Sequence, residues 1–271
     1  MILVNEPLFQ GNEKKYLNEC IDSGWISSEG PFVGKLESEF SSRCGRKYGI
    51  AVTNGSAALD AAVAALDLEP GSEIIMPTFT IISCASAITR SQCIPVPIDC
   101  DESTFNMKVE DIENRISNRT RAIMIVHLYG LPADIDPILK LAEKYQLKVI
   151  EDAAQAIGQD YKGKPCGSFG DISTFSFYPN KHITTGEGGM IVTNNLELAD
   201  KCRSLRNLCF VEHKRFYHER LGWNLRMSNL QAALGLAQLE QLDAFLEKKR
   251  RIGAFYNEHI NDDLKIKNCT C

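Results

Sequence analysis

The sequence predicts an α/β domain whose mostly parallel sheet has seven strands flanked by helices. Three observations carry this. Seven short apolar runs recur along the chain, helical segments alternate with them, and most runs are continuous in polarity. Continuous apolar strands are expected where both faces of a sheet are covered. A strand–helix rhythm marks a parallel sheet.

The strands are read at 50–54, 73–77, 94–99, 122–130, 147–154, 171–177 and 189–194. Each is bounded by Gly, Pro, Asn or Asp, the residues that stop a strand. Helices are read at 56–66, which is Ala-rich, and at 134–145 and 196–206. A last helical pattern starts at Ser228, which offers an N-cap, and runs on through Tyr256. Its Leu239, Leu242, Phe245 and Leu246 share one face. The charges Lys248 to Arg251 read as a solvated surface of that helix. No internal repeat or linker is visible.

Composition excludes several classes. A chain of 271 residues that is 44% hydrophobic and 24% charged is neither disordered nor fibrous. Thirty Lys and Arg against 35 Asp and Glu leave a net charge of −5, without the basic footprint of a nucleic-acid binder. The start MILVNEPLF lacks the basic flank and small-residue cleavage pattern of a signal peptide. No stretch is apolar and long enough to span a bilayer. Ten scattered cysteines with no Cys-x-x-Cys pair read as reduced thiols in a cytoplasmic protein, each most simply a small buried hydrophobe. No metal site is expected; Cys269 and Cys271 alone make a poor one. No G-x-G-x-x-G follows the first strand, which argues against a nicotinamide dinucleotide fold.

Ligands of parallel sheets bind beyond the carboxyl ends of the strands, so strand ends carry the functional weight. Three stand out. In Thr53-Asn54-Gly55-Ser56-Ala57 a strand meets Gly and Ser before a helix, where free N–H groups favour an anion. In Ile150-Glu151-Asp152 acidic side chains end an apolar strand and require partners. In Ser176-Phe177-Tyr178-Pro179-Asn180-Lys181, a lysine lies between two apolar strands, before the Gly-rich turn Gly186-Glu187-Gly188-Gly189. A desolvated lysine is a nucleophile. A lysine, an aspartate and a phosphate cradle are together what pyridoxal 5'-phosphate requires.

The ordered motifs VTNGSAALDAAVAAL, MPTFT, VHLYG, IEDAAQAIG, FGDISTFSFYPNKHITTGEGGMIVTN and GWNLRMSNLQAALGLAQL resemble the DegT/StrS-type sugar-nucleotide aminotransferases. The likeness runs from the N-terminus to about residue 260. It implies an aspartate aminotransferase-like, fold type I pyridoxal phosphate enzyme. It also implies a large cofactor-binding domain at 1–245, with the start of an incomplete, largely absent C-terminal small domain at 246–271.

The resemblance assigns roles. Lys181 would form the cofactor Schiff base and then act as acid and base. Asp152 would pair with the pyridine nitrogen, a contact worth on the order of 5 kcal/mol at about 3 Å and an effective dielectric near 20, before desolvation. Gln155 would lie near the ring and its phenolic oxygen. The Gly55, Ser56 and Ala57 backbone, with Ser176, would hold the phosphate. Asn224 or Arg226 would reach the phosphate of a neighbouring subunit, implying a homodimer with shared sites. Trp25, Ser27 and Ser28 match a stretch near the nucleotide sugar. For His127 and Tyr129, ligand contact and plain packing stand level.

The reaction implied is ping-pong transamination from L-glutamate to a nucleotide-linked 4-keto-6-deoxy sugar, in deoxyamino-sugar and polysaccharide biosynthesis. The alternatives are a 3-keto transaminase, a dehydratase, or a non-catalytic cofactor binder. Dehydratases of this kind carry His where Lys181 stands, and His182 reads as a loop residue. The family's aromatic residue over the ring falls on Ile81, and Phe79 is a possible replacement.

Overall fold

The structure, a computed structural model, describes residues 5–211, 214–218 and 220–260. The tail with Cys269 and Cys271 lies outside the described residues. The helices are α1 (Glu13–Ser23), α2 (Pro31–Arg43), α3 (Gly55–Ala65), α4 (Ser83–Arg90), α5 (Ile135–Tyr145), α6 (Leu196–Arg206), α7 (Asn229–Glu240) and α8 (Leu242–His259). The strands are β1 (Tyr48–Val52), β2 (Glu73–Pro77), β3 (Ile94–Ile98), β4 (Thr120–Val126), β5 (Lys148–Asp152), β6 (Asp160–Tyr161), β7 (Lys164–Pro165), β8 (Ile172–Ser176), β9 (Gly189–Thr193), β10 (Phe210–Val211) and β11 (Lys214–His218).

Seven of these strands form one sheet in the order β1-β9-β8-β5-β4-β2-β3. The run β8-β5-β4-β2-β3 is parallel, and β9 is antiparallel to both β8 and β1. The expected mostly parallel, seven-stranded sheet is therefore present. Alternate residues face opposite layers. Ile50, Ile74, Met124, Ile150 and Ile172 pack with the buried faces of α3, α4 and α6. On the other side Ala51, Phe175, Met190 and Val192 pack with α1, α2, α7 and the start of α8. There Phe40 meets Phe175 and Phe177 edge-on at 4.8 and 5.1 Å. Ile75, Ile123, Ile125 and Val149 pack with α5 on that same side. Burying apolar surface on both faces is the main drive for this layering. Among the described residues no helix is long and apolar enough to cross a membrane.

Two elements differ from the sequence reading. The strand expected at 122–130 ends at Val126, and Leu128–Gly130 is a 3-10 turn in which Tyr129 has φ 51°. The long helix expected from Ser228 breaks at Gln241 into α7 and α8. The break turns Leu242 and Leu246 into the core. Ser228 does cap α7, in a reciprocal capping box with Gln231. Seven of the eight described cysteines are buried, Cys100 being half-buried, and all eight are free thiols.

Candidate active site

The carboxyl ends of β4, β5 and β8 open into a cavity of about 560 Å³, within the range of small-molecule sites. Gly55, Ser56, His127, Asp152, Gln155, Ser176 and Lys181 all line it. The fold thus brings together the three strand ends singled out in the sequence.

One wall is the start of α3. Asn54 caps it, its side chain accepting from the Ala57 N–H at 2.8 Å. In this structure the Ala57 amide, expected in the phosphate cradle, donates to the Asn54 cap. The amides of Gly55 and Ser56 receive no such partner among the described residues, and both residues face the cavity. Bare amides at the start of an 11-residue helix suit an anion. The approach is tight. A Cβ at Gly55 would lie 2.8 Å from Ser176 Cβ, and one at Gly189 would lie 2.5 Å from the Asn54 carbonyl oxygen. Glycine at both positions lets β8, β9 and the α3 start meet closely enough to form one cradle. Ser56 Oγ and Ser83 Oγ share a hydrogen bond of 2.6 Å beside it.

Lys181 lies in the loop between β8 and β9. Several bonds fix that loop: Phe177 N–H to the Gly188 carbonyl at 2.8 Å, Thr185 N–H to the Phe177 carbonyl at 3.0 Å, and Lys181 N–H to the Tyr178 carbonyl at 2.9 Å. Among the described residues the Lys181 amine has no hydrogen bond or ion pair. Burial pushes its pKa below the usual lysine value, and the charge of Asp152 only partly opposes this. A half-buried lysine with no bonded acid is shifted toward its neutral, nucleophilic form. The next residue, His182, turns away: its Nδ1 donates to the Ile157 carbonyl at 3.1 Å, and it faces a smaller cavity behind Lys181.

Asp152 is 3% exposed at the end of β5. Oδ1 accepts the Ala154 N–H at 3.0 Å, and Oδ2 accepts the thiol of Cys84 at 3.4 Å. Burial raises its pKa, opposed by those two donors. A thiol is a weak donor, so this carboxylate is under-supplied and suited to a cationic N–H. Gln155 has a fixed orientation: its Oε1 accepts the Tyr129 N–H at 2.6 Å. Its amide nitrogen is therefore the end left to donate.

His127 is fully buried. Its Nδ1 accepts the Ala133 N–H at 3.2 Å, which leaves the proton on Nε2, 2.9 Å from Glu151 Oε1. Both nitrogens are thus spent on protein partners, and a ligand meets only the ring's carbon edge. Glu151 also accepts from Gly167 N–H, Phe169 N–H and Ser173 Oγ. Arg46 bonds the carbonyls of Gly167 and Phe169 in the same buried network. His127, Glu151 and Cys166 bring ligand-type atoms within 4.8 Å of one another, but those four donors already saturate Glu151.

Other expected residues lie elsewhere. Tyr129 contributes its backbone to Gln155, while the residue is 65% exposed and its ring packs on Phe79. Phe79 is drawn into that group with Phe105 and does not line the cavity; Ile81 does. Asn224 and Arg226 are not in the cavity of their own chain. Asn224 pairs with Asn207 in a bridge, and Arg226 bonds the Asn207 side chain at 2.6 Å. Trp25 and Ser27 are exposed, and their carbonyls accept from Asn229. Ser28 and Arg226 share a separate surface pocket. Sequence reading missed Thr80 and Cys84. No pattern marks a buried cysteine as the neighbour of an acid 68 residues away.

Comparison with known proteins places these features. The pattern of the DegT/DnrJ/EryC1/StrS aminotransferase family matches residues 7–270. The chain is 47% identical over 265 residues to a GDP-perosamine synthase of Escherichia coli O157:H7, covering 98% of this chain and 73% of that protein. It is 47% identical over 259 residues to the GDP-perosamine synthase of Caulobacter vibrioides, covering 96% and 70%. Among solved structures, DesI in the presence of its TDP-sugar product superposes with a TM-score of 0.87 at 32% identity, covering 95% of this chain and 65% of that one. Spr1654 of Streptococcus pneumoniae, described as a sugar aminotransferase in its PLP-form, superposes with a TM-score of 0.89 at 27% identity, covering 95% and 71%. The chain spans about two thirds to three quarters of the length of these proteins.

Proposed function

Because the chain belongs to the DegT/DnrJ/EryC1/StrS aminotransferase family, we propose that it carries out pyridoxal phosphate-dependent transamination of a nucleotide-linked 4-keto-6-deoxy sugar. The substrate is of the GDP-4-keto-6-deoxymannose type, the product of the GDP-perosamine type, and L-glutamate is the amino donor. The observation that carries this is one cavity with a half-buried lysine that has no bonded partner among the described residues, an under-bonded buried aspartate and a bare helix start.

These residues fit pyridoxal phosphate, and the Gly55 cradle is the test. Any larger side chain there would close on Ser176 and occupy the anion's place. When bound, the cofactor supplies an aldehyde that bonds amines covalently and a ring that takes up electrons from the adjacent carbon. The chain's own groups do the rest. Lys181, held toward its neutral form, is the amine that would hold the aldehyde and, when freed, would carry a proton to and from the substrate carbon. Asp152 would hold a proton on the ring nitrogen. Gln155 would donate its amide N–H to the phenolic oxygen. The Gly55 and Ser56 amides and the Ser176 hydroxyl would hold the phosphate, and Ile81 would offer apolar contact to the ring.

Asn224 and Arg226, turned away from their own cavity, are the groups offered to a second copy, so the working unit is a homodimer. Trp25, Ser27 and Ser28 belong to the nucleotide-sugar region of that assembly. The reaction belongs in the cytoplasm, in deoxyamino-sugar biosynthesis for polysaccharide.

The test incubates the protein, pyridoxal phosphate and glutamate with a panel of 4-keto and 3-keto sugar nucleotides, followed by mass analysis of the products. A 4-amino sugar linked to GDP is expected. Lys181→Ala should lose both turnover and the visible absorbance of the bound cofactor. Turnover by that variant at the wild-type rate would overturn the reading.

A further inference from the structure

The under-bonded aspartate has a second feature that transamination alone does not call for. One side chain bonds it and two more lie beside that contact: Cys84 on α4, Thr80 just before α4, and Thr174 on β8. Cys84, fully buried on α4, donates its S–H to Asp152 Oδ2 at 3.4 Å. Thr80 Oγ1, half-buried on the cavity wall, is 3.4 Å from the same sulfur. Since the thiol proton goes to the carboxylate, the Thr80 hydroxyl is the donor to sulfur. On the adjacent strand, Thr174 is the register partner of Asp152. It is 1% exposed, and among the described residues its hydroxyl has no hydrogen-bond partner. The carboxylate therefore has one weak thiol donor, and the hydroxyl on its register partner in the next strand makes no bond to it.

We propose that Cys84, backed by Thr80, is a positioning residue. It keeps Oδ2 of Asp152 aimed along the cavity and away from Thr174, at a length that leaves this oxygen free to take the ring N–H of a bound pyridoxal phosphate. The proposal rests on the cofactor reading above. A thiol suits the role because its bonds are long and weak. An O–H donor to a carboxylate contracts to about 2.5–2.7 Å, which would draw Oδ2 toward α4 by most of an ångström. With no donor at 84, the unpartnered hydroxyl of Thr174, on the register partner of Asp152, is a competitor for the carboxylate. A displacement of that size in a reacting group costs up to about 100-fold.

The experiment loads wild type, C84S, C84A, T174V and C84A/T174V with pyridoxal phosphate. It follows loss of the visible band after dilution, and the pH at which the band changes. Glutamate kcat and KM are measured alongside, with circular dichroism melts to verify folding. C84S and C84A are each expected to lose cofactor on the order of tenfold faster than wild type, with a shifted pH response. T174V alone should match wild type, because it deletes only an unpartnered hydroxyl. The double variant C84A/T174V should recover toward wild type, since the competing hydroxyl is gone. A purely packing role predicts the opposite, two losses that add.

Wild-type retention by both single Cys84 variants, or a double variant worse than C84A, overturns the proposal. If C84A does not fold, C84S carries the same test. A wild-type protein that takes up no pyridoxal phosphate defeats the cofactor reading first, and this inference with it.

Discussion

Asp152→Asn should stabilise the empty protein while disabling the loaded one. In the empty cavity the carboxylate is buried with one backbone N–H, one thiol and, among the described residues, no ion pair. A buried charge short of donors costs about 1–3 kcal/mol or more. The near-isosteric amide removes most of that. For a chain of this size each kcal/mol moves the melting temperature by about 2–4 °C, so D152N should melt several degrees higher at pH 8. The pH dependence has a definite sign. Burial holds the Asp152 pKa above its ordinary 3.8. Its contribution to stability is therefore present below the ordinary value and lost as pH rises through the higher folded value. The gap between variant and wild type should be small in acid and widen toward neutral pH. In the loaded enzyme the same change removes the partner of the ring nitrogen, on the order of 5 kcal/mol at about 3 Å. The half-reaction with glutamate should slow by about 1,000-fold or more. Thermal melts of the cofactor-free protein across pH, and stopped-flow absorbance with glutamate, read the two arms. A variant that melts no higher than wild type at pH 8, or that keeps its half-reaction, refutes the reasoning.

Three further outcomes are expected. Gly55→Val forces a Cβ to 2.8 Å from Ser176 Cβ, so it should cost about 1–3 kcal/mol of stability and abolish cofactor retention; denaturant melts and absorbance check both. Glu151→Ala strands His127, the Ser173 hydroxyl and two backbone amides in the interior. It should lose about 3–5 kcal/mol, read as a lower denaturant midpoint. Ile81→Phe should add aromatic contact with a bound ring worth about 0.5–1.5 kcal/mol, slowing cofactor loss by roughly 2- to 10-fold in a dilution assay.

The sheet was legible because its strands are apolar on both faces, and strand ends such as Ser176 and Asp152 follow directly from that pattern. Lys181 was legible for the same reason: it is a cation where the flanking segments leave little water. What escaped depends on hydrogen bonds that sequence does not encode. Ala57 reads as part of an anion cradle until Asn54 claims its amide. His127 lines the cavity, but Ala133 and Glu151 take its two nitrogens. Phe79 could have covered the cofactor ring, but Phe105 and Tyr129 draw it aside. Cys84 looked like any small core residue, because its partner lies on a different strand.

Glu151 and Asp152 are adjacent on β5 yet face opposite layers, one with its bonding capacity filled and the other left wanting. A slip of β5 by a single residue would exchange them. The filled network would then receive an acid too short to bridge it, and the cavity one too long to seat. Each acid thereby proofreads the alignment of the other, so any chain able to catalyse has also folded in the correct frame.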